Sequence, residues 1–262
     1  MIDKNDKIKK IGIFDSGIGG FSLLNQLVLD FPDIEFHYIA DNLAAPYGDK
    51  TALEVQLRTK VIVELLIEIE VDLIIVACNT ATSLAIDYLR NYYDIKFVGV
   101  EPFVNALYKY QFDLTKDKIA VLTTSAMHNS NRFKALLNRY DPESILSPIK
   151  VDNLASIIES IYKDGLNDEV LGLLNTELQQ LISGNFSHAI LGCTHYPLIF
   201  KYFENILKIK TISPCPHISN RVGTYIDAVS IKPKIDHFWN LETDTNHWVR
   251  CQKEDLLKPI NF

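Results

Sequence analysis

Two cysteines stand where thiol chemistry could be carried out. Cys78 lies in Val76-Ala77-Cys78-Asn79-Thr80-Ala81-Thr82 and Cys193 in Leu191-Gly192-Cys193-Thr194-His195-Tyr196-Pro197, each where an apolar run gives way to an expected helix start. In parallel α/β sheets, ligands gather at the carboxyl ends of the strands, so a thiol there is aimed at a crevice. One cysteine falls in each half of the chain, and the fold could bring two sulfurs to opposite faces of one small molecule. A free thiol has a pKa of about 8.5, close enough to neutrality for a helix start or a hydrogen-bonding neighbour to tune it. Such a pair suits moving a proton from one side of a carbon to the other. Asp15-Ser16 occupies a third strand end, and His195, two residues beyond Cys193, can take or return a proton near neutral pH.

These residues need elements to hold them. Apolar patterning predicts strands over residues 8–14, 34–40, 73–77, 95–100, 118–122 and 187–191, and helices over 21–30, 52–70, 81–92, 132–140, 154–162 and 169–182. Strand and helix alternate, which implies an α/β fold with a mostly parallel sheet. The unbroken apolar runs at 73–77 and 188–191 suit strands buried on both faces. The two cysteine segments suggest two related halves, although the sequence beyond them does not establish a repeat. No Gly/Ser linker marks a boundary, and the Pro-, Asn- and aromatic-rich stretch 211–262 is placed as a return to the first half.

The turn Asp15-Ser16-Gly17-Ile18-Gly19-Gly20 supports three readings. Gly17-x-Gly19-x-x-Ser22 approaches a dinucleotide fingerprint with Asp41 as the ribose acid, but its sixth position is Ser22 and Asp15 would set a carboxylate beside the pyrophosphate. A tight glycine turn capped by Asp15 is the second reading. The third, which we favour, makes Asp15 and Ser16 site residues and lets the glycines admit a ligand close to the backbone. After the second strand, Pro46 and Gly48 bracket Tyr47 in a turn. That turn either presents N–H groups and a phenol to the crevice or simply packs its tyrosine.

Composition narrows the classes. The chain has 262 residues, 47% hydrophobic and 23% charged, enough for one large or two modest α/β domains. Its 26 basic and 33 acidic residues give a net charge of −7, with no basic stripe beyond residues 4–10, so no nucleic acid partner is expected. No apolar run approaches the ~20 residues that cross a bilayer, and no signal core opens the chain. A cytoplasmic protein without a membrane partner is expected. Four cysteines with no Cys-x-x-Cys spacing read as neither a disulfide scaffold nor a zinc or redox pair. Cys215 and Cys251 are read as buried apolar side chains.

Asp15-Ser16-Gly17-Ile18-Gly19-Gly20, Pro46-Tyr47-Gly48, Ala77-Cys78-Asn79-Thr80-Ala81 and Leu191-Gly192-Cys193-Thr194-His195-Tyr196-Pro197 stand in the order and approximate spacing of bacterial glutamate racemases. Over residues 8–207 the chain resembles that family. The resemblance implies a cofactor-independent racemase that interconverts L- and D-glutamate and supplies D-glutamate for peptidoglycan synthesis. It implies two pseudo-symmetric α/β domains with the active site at their interface. The expected division is 1–96 plus 210–262, carrying Asp15, Tyr47 and Cys78, and 97–209, carrying Thr124, Cys193 and His195.

By the same resemblance Cys78 and Cys193 exchange the roles of base and acid, Cys78 serving the D-enantiomer and Cys193 the L-enantiomer. His195 is the implied proton carrier beside Cys193, and Asp15 the candidate beside Cys78. Ser16, Tyr47, Gly48, Asn79, Thr80, Thr124 and Thr194 are implied substrate contacts, together with Asp15 and His195. Neither a cofactor nor a metal is implied; the expected partner is the small-molecule substrate glutamate, and a homodimer is the candidate assembly. Where the family usually shows two threonines three apart, this chain has Thr124 and Met127. The stretch 151–159 lacks the usual Cys-Pro opening but keeps Glu159 at its close, which is either a site residue or part of a solvated helix face. Three rival readings remain: a zinc protein using Cys78, Cys193 and His195, which lacks an evident fourth ligand; a nucleotide-binding α/β module; and, nearest, an aspartate or hydantoin racemase.

Overall fold

The computed structural model describes residues 8–226, 236–241, 243, 247–251, 259–260 and 262. Its strands sort into two sheets. In the first, β1 (Lys10–Asp15), β2 (Glu35–Ala40), β3 (Leu73–Val76) and β4 (Lys96–Gly99) run parallel in the order β2-β1-β3-β4. Farther along the chain, β5 (Ile119–Thr123), β6 (Ser147–Lys150), β7 (His188–Leu191) and β8 (Lys210–Ile212) form a second, wholly parallel sheet ordered β6-β5-β7-β8. Then β9 (His237–Asn240) joins the first sheet parallel to β2, and β10 (Val249–Cys251) pairs antiparallel with β9 at its edge. Every residue of β3 and β5 is buried, because helices cover both faces.

Helices α1 (Phe21–Asp30), α2 (Ala52–Glu68) and α3 (Asn79–Tyr92) flank the first sheet. The second carries α4 (Ser125–Asn129), α5 (Asn131–Tyr140), α6 (Leu154–Asp164), α7 (Asp168–Glu177) and α8 (Gln179–Ser183), and α9 (Cys215–Gly223) packs on α1. A capping box opens α2: Thr51 Oγ1 accepts the Glu54 N–H at 3.3 Å, and the Glu54 carboxylate accepts the Thr51 N–H at 2.8 Å. The single helix expected over 169–182 is two, since the backbone leaves helical geometry at buried Leu178 (φ −96°, ψ 11°). β6 escaped the pattern because Pro148 sits inside it; an edge strand tolerates a residue with no N–H to donate.

The chain passes to the second sheet after β4 and leaves it after β8. The expected boundaries at 96/97 and 209/210 therefore fall a few residues early, since 96–99 pairs with β3 and 210–212 with β7. The first boundary cuts the strand expected over 95–100, and β8, at three residues, is too short to show periodicity. From the described C-terminal stretch, β9 and β10 join the first sheet, and Trp239 packs edge-on against Phe21 at 5.7 Å. Its last residues touch the second: the Ile260 N–H bonds Leu198 O at 2.8 Å and Phe262 meets the Tyr202 ring at 5.0 Å. Among the described residues no helix is long and apolar enough to cross a membrane.

Register decides where the chemistry-bearing ends emerge. Phe14 pairs with Val76 and Leu122 with Leu191, so Asp15-Ser16 leaves the first sheet beside Cys78, and Thr123-Thr124 leaves the second beside Cys193.

Candidate active site

The strand ends of both sheets open on one cavity of about 560 Å³. Ser16, Tyr47, Gly48, Cys78, Asn79 and Thr80 reach it from the first sheet, and Thr124, Cys193, Thr194 and His195 from the second. Asp15 lies behind this wall, fully buried. Cys78 and Cys193 are both buried free thiols. The fold brings these residues to one cleft, Asp15 from behind its wall.

Cys78 is the N-cap of α3, and its sulfur accepts the Ala81 N–H at 3.4 Å. The thiol donates in turn to Ser16 Oγ at 3.7 Å. Burial pushes the Cys78 pKa up, the Asp15 carboxylate adds to the rise, and the Ala81 N–H opposes it. Negative charge on Cys193 also raises it. Asp15 is likewise raised by burial, against the pull of His195 and of the hydrogen bonds from Thr194 and Gly17.

The opposite wall is wired differently. Cys193 Sγ lies 3.7 Å from His195 Nδ1, and His195 Nε2 lies 2.7 Å from Glu159 Oε1. Burial alone would pull His195 down, but the Cys193 and Glu159 hydrogen bonds and the charges of Cys193 and Asp15 carry it well above its ordinary value. Burial pushes Glu159 the other way, and the His195 bond and charge still hold its carboxyl below the usual range. Glu159 also accepts the Ile18 N–H at 2.9 Å. Glu159 is therefore bound to the site rather than solvated on a helix face, which its position on an amphipathic helix did not reveal.

The glycine turn serves contact between the sheets. A Cβ on Gly17 would strike Glu159 Oε1, and one on Gly19 would strike His195 Nδ1 and Thr194 Oγ1. Thr194 Oγ1 donates to Asp15 Oδ2 at 2.9 Å, and Ser22 Oγ donates to Thr194 O at 2.9 Å. The space a dinucleotide phosphate would need is taken by the Thr194-His195 loop. Tyr47 differs from expectation: its hydroxyl turns from the cleft to donate to Asp41 Oδ2 at 2.5 Å, and Arg58 braces Asp41 through Nη2 at 2.6 Å.

Thr80 and Thr124 hydroxyls meet at 3.0 Å across the cleft. Asn79 donates to Val100 O at 3.2 Å and keeps a buried Oδ1 without a hydrogen-bond partner, an acceptor left for a bound group. Met127 is fully buried among Phe103, Val104, Val121 and Ile190 and lies outside the cavity lining. Its thioether therefore fills core rather than replacing a polar contact. Cys215 is buried against Ser22 at 3.7 Å, and the Cys251 side chain lies outside the described residues. No three His, Cys, Asp or Glu side chains among the described residues are arranged to hold a metal, so Cys78, Cys193 and His195 do not form the ligand set of the zinc reading.

A thiol at the mouth of each of two parallel sheets, facing one cleft, defines a class. The family model for Asp/Glu/hydantoin racemases matches residues 25–219. Glutamate racemase of Fusobacterium nucleatum is 37% identical over 228 residues, covering 86% of this chain and 84% of that protein. Among solved structures, glutamate racemase isoform RacE1 of Bacillus anthracis superposes with a TM-score of 0.72 at 29% identity, covering 84% of this chain and 82% of its own. Francisella tularensis glutamate racemase, solved with D-glutamate, gives 0.70 at 26% identity, covering 88% and 87%. The chain belongs to the Asp/Glu/hydantoin racemase family, among its glutamate racemases.

Proposed function

We propose that this chain interconverts L- and D-glutamate by two-base thiol chemistry and so supplies D-glutamate for peptidoglycan. The observation that carries the reading is the pair of buried thiols, one from each sheet, lining one cavity with separate proton partners. The α-hydrogen of an amino acid is a very weak acid, so a base on one face, an acid on the other and charge stabilisation between them are all needed. With D-glutamate, Cys78 as thiolate takes the α-proton and the Cys193 thiol delivers one to the opposite face; with L-glutamate the roles exchange. Protonated His195 can restore the proton that Cys193 gives up, and Glu159 holds its ring in place. Asp15, joined to Cys78 through Ser16, serves the first thiol.

Substrate recognition follows from what the walls offer. The N–H groups opening α3 and α4, with the Thr80 and Thr124 hydroxyls, suit carboxylates, while the free Asn79 Oδ1 suits an ammonium group. We assign one domain to each sheet, the first carrying Asp15, Tyr47 and Cys78 and the second Thr124, Cys193 and His195. Substrate would then be held by both. We place the protein in the cytoplasm, with a homodimer as its assembly. In deuterated water, without added cofactor, the protein should place deuterium at the glutamate α-carbon while optical rotation decays. Cys78→Ala and Cys193→Ala should each abolish racemisation. Full turnover by either variant refutes the two-thiol assignment, and rapid conversion of aspartate but not glutamate refutes the substrate.

A further inference from the structure

Helix α3 is held to the second sheet's helices at two points seven residues apart. Thr80, in its first turn, meets Thr124; Asp87, two turns on, is gripped by Arg132 at the start of α5, whose Nη2 donates to Oδ1 at 2.8 Å and Oδ2 at 2.7 Å. Residues seven apart fall on one stripe of a helix. The Nη1 of the same guanidinium donates to Glu101 Oε1 at 2.8 Å, in the segment where the chain leaves the first sheet. A planar fork on two carboxylates fixes orientation as well as distance. Arg132 itself is only 24% exposed, although Asp87 is 75% exposed.

Cys78 caps this same helix. Asp87 stands nine residues farther on, about 13 Å at 1.5 Å per residue, so a helix clasped at Asp87 carries its cap as one rigid piece. Arg132 does not line the cleft, and whatever it does for catalysis it does through α3. We propose that Arg132 is a positioning residue for racemisation: by clasping Asp87 and Glu101 it sets how closely Cys78, but not Cys193, approaches the substrate α-carbon. This rests on the reading of Cys78 as the base for D-glutamate.

Primary isotope effects separate the two thiols. Removing the α-deuteron of D-[2-²H]glutamate is the step of Cys78, and removing that of L-[2-²H]glutamate is the step of Cys193. Arg132→Gln deletes the fork, and Arg132→Lys keeps a charge without its two-pronged geometry. With Cys78 displaced, the isotope effect on kcat/KM rises for D-[2-²H]glutamate and falls for L-[2-²H]glutamate. Because one partner is exposed, kcat/KM itself drops by only about 3- to 10-fold, with Arg132→Lys between variant and parent. Asp87→Asn, at an exposed position, gives the same pattern even where Arg132→Gln fails to fold. Isotope effects matching the parent's in both directions, with or without a lower Tm, overturn the proposal and leave the two-thiol reading intact. A parent protein that exchanges no α-hydrogen of glutamate overturns both.

Discussion

The two thiols share a residue type but not an environment. Cys78 is buried against a helix start and a serine, whereas Cys193 sits beside an imidazole that Glu159 holds by a hydrogen bond. Glu159→Gln tests that hold. A charge-assisted bond is lost, and its partly exposed setting tempers the cost to about 1–2 kcal/mol at pH 7. The carboxyl is held below its ordinary value, so its contribution is fully present above about pH 4.5 and vanishes as pH falls through the lower folded value. Urea unfolding should therefore show a stability gap at pH 7 that closes on acidification, and the His195 pKa followed by NMR should drop. Turnover should fall, by less than the roughly 10²–10⁴-fold that a positioned acid–base group contributes, since His195 itself is kept. An equal gap at both pH values, with His195 unmoved, would count against the pairing. Cys78, Cys193 and His195 were legible in sequence because few residue types do proton chemistry near neutrality. The Glu159 bond was not, since 36 residues separate it from His195 and its helix reads as merely amphipathic.

At the scale of elements, the strand-to-helix junctions do the positioning, and the elements with continuous apolar runs or stripes were the readable ones. The uninterrupted Leu-Ile-Ile-Val of β3 and the apolar stripe of α1 announce themselves, while β6, β8, β9 and β10 are short, carry no unbroken apolar run and depend on partners for existence. The α3 junction carries a separable prediction. A sulfur is a weak acceptor, so Cys78 caps α3 less well than a hydroxyl in the same place. Cys78→Ser should match or exceed the parent in stability, and Cys78→Ala should lie about 0.5–1 kcal/mol below Cys78→Ser, a typical cost of losing a cap. Racemisation should nevertheless collapse in both, because a serine hydroxyl is far too weak an acid to serve as the base. Denaturation curves beside activity assays settle the matter: a Cys78→Ser protein that is both stable and active would show the sulfur to be a cap and nothing more.

At the scale of the molecule, the cleft exists only because two sheets face each other, and besides the Arg132 clasp on Asp87 several contacts between them run through the site itself. Asp15 to Thr194, Ile18 to Glu159, Ser22 to the Thr194 carbonyl and Thr80 to Thr124 all join one sheet's residues to the other's. Sequence pattern could place the strand ends but not this confrontation, which depends on where the chain crosses over and on glycines at 17 and 19 small enough to let the halves touch. A ligand seated there grips both halves, so binding should stabilise them jointly. At 100 times its Kd, glutamate adds about 2.7 kcal/mol, which for a chain of this size raises Tm by about 5–10 °C in one transition. Cys78→Ala should keep most of that rise, since its sulfur moves protons rather than holding carboxylates, whereas the double variant Thr80→Val, Thr124→Val should lose much of it. Calorimetry in which glutamate shifts only one of two separate transitions would mean that the substrate rests on a single sheet, and the sulfurs could not then flank its α-carbon.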